Sequence, residues 1–358
     1  MTNENTNIWP IQPHTSCKHE LLRKYLNAWF PILSLYPSLF YVDGFCGPGR
    51  YSDGEVGSPV IALKAALACS KSIQNANFLF IDKEKMAIEN LKNEIGKLNL
   101  PEKFKVEFEI GSFPDVFTTK LEKLNERIPV FAFIDPFGYK DLPFSLVSKL
   151  LNRESCEVFI NFMVESVNRF MNVTEQQIID LFGTGVCLEI WRKFPNGGSE
   201  RQIALTSLYE KQLKNCAKHT LKFKMNVQNS RIKYFMIFAT NHDKGFKKMK
   251  EVMWSNDDTG RFEYSSATHD QLTFMPLFNK SILKDLILKE FSSKKATKAS
   301  QILNFVLFDT DFLEKHAREV LIELEQDNII IVNPIKSNGD KRIKGTFPED
   351  VIINFSNS

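Results

Sequence analysis

Tyr41-Val42-Asp43-Gly44-Phe45-Cys46-Gly47-Pro48-Gly49-Arg50-Tyr51 is the stretch that decides the fold. An extended apolar run ends in an acid, and three glycines follow within six positions, which is how a strand hands over to a nucleotide-binding turn. Gly44, Gly47 and Gly49 can take positive φ and bring backbone close to a ligand, while Asp43 at the carboxyl end of the strand can accept hydrogen bonds from it. Taken alone, the glycine spacing fits a plain tight turn as well as a cofactor loop.

Context comes from downstream. Residues 77–82, Asn-Phe-Leu-Phe-Ile-Asp, form a second apolar run ending in an acid, about 35 residues on, the length of one strand-helix-strand unit. Asp82 is thereby placed to bind ribose hydroxyls. Residues 104–110 alternate and stop at Gly111-Ser112-Phe113, and residues 129–135 end in Asp135 before Pro136-Phe137-Gly138. A fifth run spans Cys156 to Phe162. Helical patterns separate the runs, so the spacing predicts an α/β fold, a parallel Rossmann-like sheet with helices on both faces and ligands outside the carboxyl ends of its strands.

Between the runs, Ile88, Leu91, Ile95 and Leu98 share one helical face and read as core. Ser58 followed by Pro59 predicts an N-cap with proline in the first turn of a helix Pro59–Ala68. That leaves Arg50–Gly57 as a loop that either wraps the ligand or makes a surface excursion. Asp135 has three readings: a strand-end carboxylate capping local amides, a catalytic acid, or a cofactor contact. A metal-nuclease reading of Asp43, Asp82 and Asp135 as Mg²⁺ ligands stands further off, because it leaves the glycine turn unexplained.

At 358 residues the chain exceeds the size at which a single core stops growing, so two domains are expected. The net charge of +3, from 46 basic and 43 acidic side chains, is too balanced to imply nucleic acid, and only a local cluster could. Six cysteines, Cys17, Cys46, Cys69, Cys156, Cys187 and Cys216, show neither Cys-x-x-Cys pairs nor histidines at ligand spacing, which indicates no zinc site and no disulfide framework. Met1–His14 lacks the basic start and apolar centre of a signal peptide, and no apolar run approaches the roughly 20 residues that cross a bilayer. A cytoplasmic location and no membrane contact are the expectations.

Past the fifth run, Val164–Gly185 and Arg201–Cys216 have helical spacing, residues 232–239 read as a strong strand, and Gly245–Trp254 as the helix behind it. His242, just beyond that strand, falls on the edge where the cleft is expected, and a structural role is its plainer reading. Lysines thicken over 211–250 and would track phosphates if they share a face; a solvated helix surface is the alternative. After Pro276, helical patterns at Ile282–Phe291, Lys298–Leu307 and Asp311–Gln326 lead to Ile329–Val332, a turn at Lys336–Gly339 and Val351–Phe355. Three helices and a hairpin make a winged helix. Its third helix is acidic, which opposes DNA, whereas Lys336, Lys341, Arg342 and Lys344 make the wing basic. Either the wing touches a nucleic-acid backbone, or the module docks on protein.

The run Lys18–Phe30, the glycine turn, Gly57-Ser58-Pro59, Phe133-Ile134-Asp135-Pro136-Phe137-Gly138 and Phe238-Ala239-Thr240-Asn241-His242 together resemble the three-Cys-motif partner (TcmP) family of bacteria and phages. The resemblance runs nearly the whole chain. It implies a core of the S-adenosylmethionine (SAM) methyltransferase type, an appended winged helix-turn-helix, and a three-cysteine radical-SAM protein as partner. The expected division is an arm and helix at 1–40, the core at 41–275 and the winged helix at 276–358. Carried over by residue, Asp43, Gly44, Gly47 and Gly49 hold the methionine part of SAM and Asp82 the ribose, while Ser112 and Phe113 meet the adenine at a position often held by an acid. Asp135, Pro136 and Phe137 fall where amino-methyltransferases carry an Asp/Asn-Pro-Pro-aromatic element, whose acid and proline carbonyl accept hydrogens from the target amine while the aromatic ring stacks on a base. Here only one proline is present and Gly138 follows Phe137, so Tyr139 could supply the ring. The implied function is methyl transfer to a nucleic acid, or service as a non-catalytic partner of the radical-SAM enzyme.

Overall fold

The apolar runs become strands at nearly the expected residues in a computed structural model, which describes residues 10–170, 175–227, 231–257, 262–265, 279–294, 296–335 and 339–356. β1 (Leu39–Asp43), β2 (Ala76–Asp82), β3 (Phe104–Ile110), β4 (Val130–Ile134) and β5 (Cys156–Phe162) lie parallel in the order β3-β2-β1-β4-β5. Beyond β5 the sheet continues through β7 (Arg231–Thr240) to β6 (His219–Val227), both pairings being antiparallel, and closes with β8 (Glu263–Ser265) parallel to β6. This is the methyltransferase-type order with the seventh strand reversed: the five runs expected to lie parallel do so, and the strand expected over 232–239 joins them antiparallel. Only residues 228–230 separate β6 from β7, too few for the crossover of a dozen or more residues that a parallel pair needs.

Strand β6 escapes a reading of the sequence for charge. Its buried Phe223 and Met225 alternate with Lys222 and Lys224, the period of a half-buried strand, so these two of the clustered lysines belong to the wetter face of a sheet.

Helices cover both faces of this sheet. α1 (Pro13–Leu33), α2 (Ser58–Ala68), α3 (Lys85–Ile95), α4 (Phe113–Lys123) and α5 (Phe144–Leu151) alternate with β1–β5. α6 (Val164–Phe170), α7 (Glu175–Phe182), α8 (Val186–Lys193), α9 (Gly198–Leu213) and α10 (Asp243–Trp254) follow. The single helical stretch expected over Val164–Gly185 is two helices, on either side of 171–174, which lie outside the described residues.

Because side chains alternate along a strand, the abundant phenylalanines sort by parity. Tyr41, Phe78, Phe80 and Phe131 share one face, with Tyr41 and Phe131 stacked at 6.0 Å, and Tyr25 of α1 packs its ring 5.5 Å from Phe131. Val42, Leu79, Ile81, Ala132, Val158 and Ile160 point the other way, into a core with α4, α5, α7 and α9.

The chain divides into two units, and the second has its own core. α11 (Lys280–Phe291), β9 (Thr297–Lys298), α12 (Ala299–Asp309), α13 (Glu314–Gln326), β10 (Ile330–Val332) and β11 (Ile352–Phe355) form a winged helix with an antiparallel sheet ordered β10-β11-β9. Helix α13 starts three residues later than the acidic run suggests, and the short strand β9 has no counterpart in the sequence reading. No helix among the described residues is long and apolar enough to cross a membrane.

Candidate functional site

The parity that sorts the core also builds a polar edge. Asp43 at the end of β1 and Asn161 in β5 fall on the face that α1 covers. One residue past β4, Asp135 meets Asn161, whose Nδ2 donates to Asp135 Oδ1 at 2.6 Å. On α1, His14, Lys18, Leu22, Tyr25 and Trp29 recur every three or four residues and make one stripe. At the far end of the stripe the Tyr25 hydroxyl donates to Glu157 Oε2 at 2.7 Å, deep beneath the helix. At the near end the buried Lys18 ammonium pairs with Asp135 Oδ2. Both carboxylate oxygens of Asp135 are therefore engaged, one by a charge and one by an amide.

The glycine turn lies beside this edge. Gly47 and Gly49 take φ of 60° and 80°, the left-handed region that a side chain disfavours. Asp82 holds the turn, its Oδ2 accepting from the Gly47 amide at 2.8 Å and its Oδ1 from the Glu84 amide at 2.9 Å. Gly44 is a glycine for a different reason: a Cβ there would sit 2.5 Å from Cδ2 of Phe113. Asp43 is fully buried. Its Oδ1 accepts from the Phe45 amide at 3.3 Å, while its Oδ2 has no hydrogen-bond partner among the described residues. Burial above all, and then the charges of Asp135 and Asp82, push its pKa up to about 7. The N-cap expected at Ser58 is Gly57 instead, whose backbone is extended, and Ser58 is the first helical residue.

A cavity of about 350 Å³ opens between turn and edge, within the roughly 300–1,000 Å³ typical of ligand clefts. Gly47, Gly49, Asp135, Pro136, Asn161 and Lys18 border it. So do His19 and Phe137, the latter 90% exposed. From the loop 50–57, Arg50 and Tyr51 line the cavity, whereas Asp53–Glu55 are exposed, so the loop both borders the cleft and makes a surface excursion. His19 Nδ1 and Asn161 Oδ1 are buried there without a hydrogen-bond partner among the described residues, so both suit a polar ligand. Nothing stands within 4 Å of a Cβ built on Gly47, so main chain is open to the space. These features fit a nucleotide-like group such as SAM.

Asp43, Gly44 and Asp82 support the turn without lining the cavity, and the remaining sequence-derived candidates do not line it either. Ser112 is the N-cap of α4 and accepts from the Asp115 amide at 3.3 Å. Phe113 is buried, stacked at 5.3 Å on Phe117. Tyr139, the alternative to Phe137, is buried and stacks on Phe170. His242 is at the opposite edge: β7 runs antiparallel, so its end returns to the amino side of the sheet, beside Pro129 and Ser155, in a separate cavity of about 470 Å³. Asp43, Asp82 and Asp135 each face different partners, and among the described residues no three His, Cys, Asp or Glu side chains converge as metal ligands. Lys18, Asn161 and His14 have no place in the sequence reading of the site, and Lys233 enters it only as one of the lysines over 211–250. Asn161 had a visible signal, a lone amide inside the apolar run of β5.

In the second unit the basic wing is smaller than its composition. Arg342 forms a buried pair with Glu325, and Lys336 lies outside the described residues, which leaves Lys341 and Lys344 exposed. The acids of α13 are in part met by α11, where Lys280 reaches Glu323 at 2.8 Å and Lys284 reaches Asp327 at 3.3 Å.

Comparison with known proteins adds the following. No curated protein matches the sequence. Among solved structures, a Legionella pneumophila str. Philadelphia 1 protein of family model DUF519 is similar at 12% identity and a TM-score of 0.41, over 66% of this chain and 88% of that one. Trm1 from Pyrococcus horikoshii, solved with S-adenosyl-L-methionine, is similar at 11% identity and 0.37, over 71% and 61%. An O-methyltransferase from Bacillus cereus, solved with SAH, follows at 11% and 0.36, over 64% and 82%. At these values the likenesses carry no weight for ligand or activity, and the fold assignment rests on the strand order. The family model of a GMT-like wHTH domain matches residues 256–337, the stretch that holds α11 to β10.

Proposed function

We propose that the protein binds SAM over the glycine turn and transfers its methyl group to an amine or base nitrogen of a nucleic acid. One observation carries this reading: Gly47 and Gly49, held at positive φ, open main chain onto a cavity whose other wall is Asp135, Pro136 and Asn161. Asp82, which does not itself border that cavity, keeps the Gly47 turn in place, and its position at the end of β2 supports assigning it to the ribose. When bound, SAM supplies an electrophilic methyl on a sulfonium. Asp135, oriented by Lys18 and Asn161, would accept a hydrogen from the attacking amine, so that the nitrogen lone pair is aimed in line with the methyl carbon. Phe137, exposed at the mouth, offers a face on which a base can stack.

The engagement of both Asp135 oxygens also favours a second reading, in which the core holds SAM without catalysis and assists a radical-SAM partner of the kind that the TcmP resemblance implies. Calorimetry with SAM and with its demethylated product tests binding, and incubation of labelled SAM with DNA and RNA tests transfer. Binding with incorporated label supports the first reading. Binding without label on either substrate supports the second, and no binding of SAM sinks both.

A further inference from the structure

Over the lysine-rich stretch 211–250 the fold gives five of the ten lysines acidic partners. Lys214 and Lys222 pair with Glu210, Lys218 with Asp243, Lys224 with Glu263 and Lys248 with Glu251. Lys233 is placed differently. It borders the cavity that holds Asp135, and among the described residues no carboxylate lies within ion-pair distance of it. Its ammonium instead donates to Nε2 of His14 at 2.8 Å. Burial, then the charges of Lys233 and Lys18, push the His14 pKa down to about 4, so the ring is neutral near pH 7 and free to accept. The carboxylates nearby are already occupied: Asp135 by Lys18, and Glu165 by Arg169 and Arg231, each at 3.4 Å.

Helix α1 adds to this positive potential. Gln12, His14 and Thr15 at its start border the same cavity, its N-cap side chain makes no capping bond, and its first turn contains no acid. The amino end of a 21-residue helix thus points positive charge at the space beside Lys233.

We propose that Lys233, supported by His14 and the start of α1, holds a backbone phosphate of the acceptor strand while its base reaches Asp135 and Phe137. This assignment rests on the methyltransferase reading and narrows its substrate class to a phosphodiester chain, bound single-stranded or with the base turned out of the stack. It also explains why a chain of near-balanced charge can take a polyanion. The cation that matters is one that the fold has left without an acid.

The test is fluorescence anisotropy of the full-length protein with labelled short single strands of DNA and of RNA across a salt series. It would compare wild type, Lys233→Gln, Lys233→Arg and the exposed control Lys211→Gln, with SAM affinity measured alongside by calorimetry. Lys233→Gln should weaken binding of the preferred strand roughly tenfold, the worth of one charge-assisted hydrogen bond, and reduce the salt slope by about one. Lys233→Arg and Lys211→Gln should bind as wild type, and SAM affinity should be unchanged in all. The proposal is overturned if Lys233→Gln binds as wild type, if Lys211→Gln weakens binding equally, or if neither strand binds the wild type. Failure of the wild type to bind SAM would instead overturn the methyltransferase reading, and preference for one strand identifies the acceptor as DNA or RNA.

Discussion

Asp43 shows how a single buried carboxyl can set a pH response. Its pKa is about 7 in the folded protein, against 3.8 for the free group, because burial disfavours the charged form. Between these values the folded state holds a proton that the unfolded state has released, so the stability contributed by the neutral acid is full below about pH 4 and lost as pH rises through 7. Asp43→Asn, which stays neutral throughout, should remove a loss approaching about 1.4 kcal/mol per pH unit in that window, read as the difference between the two proteins in urea unfolding at pH 5 and pH 8. Equal pH profiles would mean that the carboxyl is not held neutral. The two left-handed glycines should separate in a similar way. Gly47→Val meets no atom within 4 Å of its Cβ, so it should cost only the backbone strain, about 1–2 kcal/mol, while its side chain enters the cavity and abolishes SAM binding in calorimetry. Gly49→Ala puts a Cβ 2.6 Å from Leu91 Cδ1 in the buried face of α3 and should cost more, about 3 kcal/mol by urea unfolding.

At the scale of elements, α1 is what turns a sheet edge into a site. Its apolar stripe seats it on the aromatic face, and the same periodicity carries His14 and Lys18 past the end of that face to Lys233 and Asp135. Helix α13 does comparable work in the winged helix. Glu325 near its end accepts from the Gly345 amide at 3.2 Å and pairs with Arg342, which also donates to Thr346 O at 2.8 Å, so the wing is tied to the helix from within. Arg342→Met should leave that carboxylate buried with one amide and destabilise the unit by about 3 kcal/mol. Amide exchange across α13 and β11 reports the loss; unchanged protection would show that the pair contributes nothing to holding the wing.

Among the described residues each of the two units has a hydrophobic core of its own, one against the sheet of β1–β8 and one among α11–α13 with β9–β11. Damage to one should spare the chemistry housed in the other. Leu321→Ala, at a fully buried position of the second core, should remove about 2–5 kcal/mol from that unit alone. Calorimetric unfolding should show one lowered transition, with SAM affinity kept within about twofold. A parallel loss of SAM binding would show that the site depends on both units. From the amino-acid order by itself, β1–β5, the glycine turn and the three helices and hairpin of the winged helix can all be read, because strand period, helix period and positive-φ glycines are local patterns. The reversal of β7, the core positions of Phe113 and Tyr139, and the placement of His242 at the far edge came only from the tertiary fold. So did the site's working contacts: Lys18 lies 117 residues from Asp135, and His14 lies 219 residues from Lys233. No local periodicity relates residues so far apart; packing α1 across the sheet is what brings their charges together.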